Sequence, residues 1–121
     1  MTSKILIVDD EPNILISLEF LMKREGFQVF TAGDGEEALE RIAEHRPEMV
    51  LLDVMMPKKN GYEVCQIIRA TPEWQDTKVI MISAKGRDTE MAKGLAMGAN
   101  AYLTKPFSTK DLVAKVKEML A

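Results

Sequence analysis

The sequence predicts a doubly wound α/β domain: a five-stranded parallel sheet in the order 2-1-3-4-5, with helices on both faces. Three observations carry this reading. Short apolar runs alternate five times with amphipathic stretches, the pattern of successive strand–helix units. The first, third and fourth runs (Lys4–Val8, Met49–Leu52, Val79–Ile82) are almost wholly apolar rather than alternating, so both their faces are covered and the strands run parallel. Right-handed crossovers then favour the order 2-1-3-4-5, with a topological switch point between the first and third strands.

Each element has its own justification. After the first strand a helix opens near Pro12, places Ile14, Leu18, Leu21 and Met22 on one face, and is stopped by Gly26. A short strand, Gln28 to Ala32, leads to Asp34, an acidic N-cap for a helix carrying Ala38, Leu39 and Ile42 that stops before Pro47. The third strand ends on Asp53. Residues 57–61 have turn chemistry, and the third helix runs from Tyr62 to Ala70 with Val64, Ile67 and Ile68 inward. Thr71 to Lys78, which includes Pro72 and the lone Trp74, reads as a polar connection to the fourth strand. A fourth helix extends from about Asp88 to Met97 and halts at Gly98. The fifth strand, Ala101–Thr104, precedes a helix that starts at Ser108, whose pairing with Asp111 resembles a capping box, and that carries Leu112, Val113, Val116 and Leu120.

Composition narrows the function. At 121 residues the chain fits one domain, here 1–121, that buries roughly two-thirds of its unfolded surface. With 46% hydrophobic and 29% charged residues it belongs to ordinary globular proteins. No apolar stretch approaches the ~20 residues of a membrane helix, and no signal peptide opens the chain, so a cytoplasmic protein that does not bind membranes is expected. A net charge of −3 with scattered Lys and Arg argues against direct nucleic-acid binding. Cys65 has no second thiol, so it reads as a small buried hydrophobe. His45, at a helix end, reads as structural. Trp74 either caps a helix or marks a contact surface.

The chemistry lies at the strand ends. Asp9 and Asp10 follow the first strand and Asp53 ends the third, so the predicted topology aims three carboxylates into the crevice beyond the carboxyl ends of the strands. Three clustered acids either protonate at raised pKa or hold a cation. Ser83 after the fourth strand and Lys105 after the fifth add a hydroxyl and an ammonium, completing an inventory suited to phosphoryl transfer. In isolation Asp10 would read as a helix N-cap and Lys105 as a surface charge.

Together, Asp9-Asp10, Asp53, Ser83 and Lys105-Pro106, each at the end of its own strand, resemble the receiver domain of bacterial two-component response regulators, here of the stand-alone type. The likeness covers the whole chain through the segments 5–12, 51–57 with Asn60-Gly61, 79–84 and 98–107. It implies a flavodoxin-like (βα)5 fold and a Mg²⁺-dependent signalling protein, not an enzyme in the ordinary sense, with some autophosphorylation and autodephosphorylation of its own. Asp53 would accept a phosphoryl group from a histidine kinase or phosphotransfer protein. Asp10 and Asp53 would ligate Mg²⁺ directly, Asp9 largely through water, and the Met55 backbone carbonyl would be the remaining protein ligand. Lys105 and Ser83 would bind phosphoryl oxygens. Tyr102 would be the aromatic switch residue, turning inward when the Ser83 hydroxyl moves, and the Lys105–Pro106 bond would be cis. Met55, Met56 and Lys85 would flank the site. Three acids, one ammonium and a divalent cation balance to zero charge, so the cation should be obligatory for transfer.

Rival functions fit less well. A flavodoxin-like electron carrier needs a hydroxyl- and glycine-rich phosphate loop, whereas Asp9-Asp10-Glu11-Pro12 would repel a flavin phosphate. A hydrolase of the haloacid dehalogenase type has a second Asp two residues after its nucleophile, and Met55 stands there. No P-loop or GxGxxG element is present. With no output domain in the sequence, the signal is expected to pass to an unidentified separate protein. In receivers the output face includes the fourth helix, fifth strand and fifth helix, here with Lys93, Tyr102, Lys110, Asp111 and Lys115. Asn100-Ala101 replace the acids through which related receivers pair, so a monomer or weak dimer is expected.

Overall fold

The computed structural model describes residues 3–56, 58–83 and 88–120, the side chains of 88–91 excepted; Pro57, Ala84 and Lys85 lie outside these. The strands are β1 (Lys4–Val8), β2 (Gln28–Ala32), β3 (Met49–Asp53), β4 (Lys78–Ser83) and β5 (Ala101–Thr104). The helices are α1 (Pro12–Arg24), α2 (Gly35–His45), α3 (Gly61–Ala70), α4 (Asp88–Ala96) and α5 (Thr109–Leu120). All strand pairs are parallel and the sheet order is β2-β1-β3-β4-β5, so the doubly wound fold and the switch point between β1 and β3 are both present.

Alternation along the central strands explains why both faces had to be apolar. Ile5, Ile7, Met49, Leu51, Ile80 and Ile82 point to one face and pack with Leu18, Leu21 and Met22 of α1 and Leu112 and Val116 of α5. Leu6, Val8, Val50, Leu52, Val79 and Met81 point to the other and pack with Ala38 and Ile42 of α2 and Val64, Cys65 and Ile68 of α3. A side chain on either face is thus withdrawn from water by a helix, which stabilises each Leu or Ile by roughly 1.5–3 kcal/mol. The edge strand β2 is less covered, with Gln28 exposed and Val29 to Thr31 half-buried.

Local chemistry sets the boundaries, and several differ from expectation, α5 among them, which begins at Thr109 rather than Ser108. Helix α3 begins at Gly61 because Asn60 and Glu63 form a reciprocal capping box: Asn60 Oδ1 accepts from the Glu63 N–H at 3.0 Å, and Glu63 Oε1 accepts from the Asn60 N–H at 3.2 Å. The connection after α3 is not featureless, since Pro72–Trp74 form a 3₁₀ turn and the Trp74 ring packs, half-buried, against the core. Helix α4 stops at Ala96, and Met97 lies in the turn. Elsewhere Asp34 caps α2 by accepting from the Glu37 N–H at 2.8 Å, as its position suggested. Ser108 accepts from the Asp111 N–H at 3.3 Å, half of the expected box. Cys65 is buried and its Sγ lies 3.4 Å from the Met97 carbonyl; burial pushes its thiol pKa up, as befits an inert core thiol. His45 stacks on Phe30 with ring centroids 3.9 Å apart.

Candidate functional site

The strand register brings the ends of β1, β3, β4 and β5 to one rim of the sheet. Val8 pairs with Leu52, Asp53 with Ile82, and Ser83 with Thr104. Backbone bonds then fix the residues that follow: the Asp9 N–H donates to the Ala32 carbonyl at 3.1 Å, and the Lys105 N–H to the Ser83 carbonyl at 2.7 Å. Beyond β3 the Val54 N–H still reaches the Ile82 carbonyl, and the Gly61 N–H donates to the Val54 carbonyl at 2.9 Å. Gly61 is needed here for space, because a Cβ on it would lie 2.5 Å from the Asp53 carbonyl oxygen and 2.8 Å from the Val54 Cα. The start of α3 is therefore pressed against the backbone that carries Asp53.

Asp9, Asp10 and Asp53 converge so that one carboxylate oxygen from each lies within 4.8 Å of the others. Their surroundings differ. Asp9 and Asp53 are buried, whereas Asp10 is exposed. Both Asp9 oxygens are engaged, one by the Lys105 ammonium at 3.0 Å and the other by the Glu11 N–H at 2.9 Å. Asp10 is not the cap of α1; Glu11 stands at that position and makes no side-chain cap bond. Lys105 lies 3.7 Å from an Asp53 oxygen and so bridges the two buried acids.

Charge follows from this packing. Burial first, and then the negative charge of Asp9, push the Asp53 carboxyl up to about 6, with Lys105 and the Met55 N–H opposing the shift and Asp10 adding to it. Burial alone would lower the Lys105 pKa, but its bond to Asp9 and the charges of Asp53 and Asp9 outweigh burial and raise it. A cluster of hard oxygen donors in which one acid resists ionisation suits a hard divalent cation. The residues present therefore fit Mg²⁺.

The remaining expected residues fall around this cluster. Ser83 ends β4 and is fully buried, and Met55 is 56% exposed at the mouth. Met56 is half-buried against the core, so of the two methionines only Met55 is open to solvent. Tyr102 lies in β5 with its ring buried, and the Lys105–Pro106 bond is cis. Lys85 is outside the described residues. Among the output-face residues, Lys93 places its ammonium 4.5 Å from the centroid of the Tyr62 ring and Lys115 lies 3.9 Å from Glu118.

Arg69 carries a contact that sequence reasoning missed. Its Nε–H donates to the Gly98 carbonyl, its Nη1 to the Thr77 and Gln75 carbonyls, and its Nη2 to Asn100 Oδ1 at 2.8 Å. Asn100 Oδ1 also accepts from the Val79 N–H. The end of α3 is thereby clipped to the loops that lead into β4 and β5.

The model of the response regulator receiver domain matches residues 5–117. The chain is 38% identical to the BeF3-activated DrrB receiver domain over 99% of this chain and 98% of that one, with a TM-score of 0.91. It is 31% identical to the receiver domain of the Francisella response regulator 1452, over 98% and 96% of the two chains (TM-score 0.92). It is 28% identical to the Vibrio cholerae chemotaxis response regulator CheY4, over 98% and 99% (TM-score 0.93).

Proposed function

The chain belongs to the receiver domain family of response regulators, and on that footing we propose that Asp53 accepts a phosphoryl group from a histidine kinase or phosphotransfer protein. The observation that carries this reading is Asp53 itself. It is a buried strand-end carboxylate beside two further acids and a bridging ammonium.

In the transfer an Asp53 oxygen attacks phosphorus as the donor's N–P bond breaks, and the new bond is an acyl phosphate. The attacking carboxylate must be ionised. Its pKa of about 6 leaves it mostly ionised at neutral pH while making it more basic than an ordinary Asp. Asp10, Asp53 and the Met55 carbonyl would hold Mg²⁺, with Asp9 acting largely through water because both its oxygens are already engaged. When bound, Mg²⁺ neutralises the acid cluster and the phosphoryl oxygens that approach it. Lys105 exchanges part of its contact with Asp9 for a phosphoryl oxygen, and Ser83 binds another. Slow attack of water on the acyl phosphate returns the resting protein, and small phosphodonors can replace the kinase.

Domain 1–121 then acts as a signalling module whose Tyr102 and α4–β5–α5 face pass the change to a separate partner protein. Among the described residues no helix is long and apolar enough to cross a membrane. The test is intact-mass measurement after incubation with acetyl phosphate and Mg²⁺. One phosphoryl group is expected on the native chain and none on Asp53→Asn. Efficient labelling in excess chelator, or labelling of the variant at another residue, would refute the proposal.

A further inference from the structure

Helix α4 meets the sheet through a residue with no side chain. A Cβ built on Gly94 would lie 2.8 Å from Cδ2 and 3.1 Å from Cε2 of Tyr102, and 3.0 Å from Sδ of Met81. The tyrosine ring thus fills the volume that any other residue at 94 would need. We propose that Gly94 is the positioning residue that keeps the inward seat of Tyr102 open and so sets the position the α4–β5 face takes when that ring is inward. The consequence for output rests on the switch role given to Tyr102 above; the seat itself does not.

The surroundings leave the ring as the part that must yield. Tyr102 pairs with Met81 across β4 and β5, and Met81 is fully buried, so the ring cannot sink deeper toward the sheet. Nor is α4 free to lift. Its Lys93 ammonium sits over the ring of Tyr62, which belongs to the same core as Tyr102. One turn further on, Arg69 holds the Gly98 carbonyl at 2.8 Å, and the Ala99 N–H donates to the carbonyl of Gly94 itself. Two consecutive residues of α4 therefore rest on two tyrosines, with the end of the helix clipped to α3. A methyl group at 94 meets a ring backed by packed atoms, and such overpacking displaces side chains rather than compressing them.

The experiment is a double-mutant cycle between Gly94→Ala and Tyr102→Ala, read by thermal unfolding and by ¹⁹F NMR of protein labelled with 3-fluorotyrosine. Alanine is the better helix former, so a purely local effect would raise Tm by about 4 °C in either background. The expected result is a change of sign: Gly94→Ala lowers Tm by roughly 4 °C or more when Tyr102 is present and raises it when Tyr102 is Ala. The Tyr102 resonance, identified by its loss in Tyr102→Ala, should gain a solvent isotope shift in Gly94→Ala while that of Tyr62 does not. A rise in Tm in both backgrounds, or an unmoved Tyr102 resonance, would overturn the proposal. Acetyl phosphate labelling of the same samples separates the two readings. Gly94→Ala should still label at Asp53, and failure of the native chain to label would refute the phosphoacceptor role while leaving the seat, measured on unlabelled protein, intact.

Discussion

Neutralising Asp53 should make the metal-free protein more stable, although it removes the residue on which the proposed function depends. In Asp53→Asn an amide of the same shape replaces a buried carboxylate that burial and the charge of Asp9 hold at about 6 against an ordinary value of 3.8. At about 1.36 kcal/mol per unit the full shift would correspond to roughly 3 kcal/mol. Water at the mouth, where Asp10 and Met55 are exposed, screens part of this, so about 1–2 kcal/mol is expected, or roughly 4–8 °C in Tm. The sign follows from linkage. The folded state holds the Asp53 proton more tightly than the unfolded state, so the penalty is complete above about pH 6 and disappears as pH falls toward 4. Thermal unfolding in EDTA at pH 7.5 should therefore favour the variant, the gap should close by about pH 4, and Mg²⁺ should narrow it at pH 7.5 by stabilising the native chain. A variant less stable than the native protein at pH 7.5, or a gap independent of pH, would show that the acids do not repel as the geometry implies.

Other substitutions probe the rest of the molecule. Lys105→Met should leave the buried acids without their bridging cation, lower the Tm above pH 6 and reduce labelling by acetyl phosphate at least tenfold; unchanged labelling would remove Lys105 from the chemistry. Gly61→Ala forces a methyl into the backbone behind Asp53 and should cost about 2 kcal/mol or more in denaturant unfolding, whereas a neutral result would mean that α3 shifts freely. Arg69→Ala strips partners from the carbonyls of Gly98, Thr77 and Gln75 and should destabilise by about 2–4 kcal/mol without abolishing phosphorylation, as unfolding and intact mass together would report. Sedimentation with and without beryllofluoride should show a monomer or weak dimer. A tight activated dimer disrupted by charge reversal at Lys93 or Lys115 would refute that expectation.

The strands were legible because their apolar runs serve two helical layers at once, a demand visible residue by residue from Ile5 to Val8 and from Met49 to Leu52. The site was legible for a related reason: a carboxylate at the end of a buried strand is a local fact, and the topology gathers such ends. The difference in burial among the acids was not. Asp9 and Asp10 are neighbours in sequence, yet one is buried against Lys105, the residue that follows β5, and the other faces water. The fits of Arg69 against Gly98 and of Gly94 against Tyr102 join separate elements through shape, which no periodicity records. The Asn60–Glu63 box, by contrast, is written in the local sequence, where it overlaps the turn chemistry of residues 57–61.

The bridge between Asp9 and Lys105 joins residues 96 positions apart. During synthesis the first acid is made almost at once, and its counter-charge arrives only after the residues of all five strands have been made. Until then the growing chain carries Asp9 without the ammonium that faces it in the folded protein. On the proposed function, the bridged site that receives the phosphoryl group is therefore complete only in molecules whose sheet has formed from first strand to last.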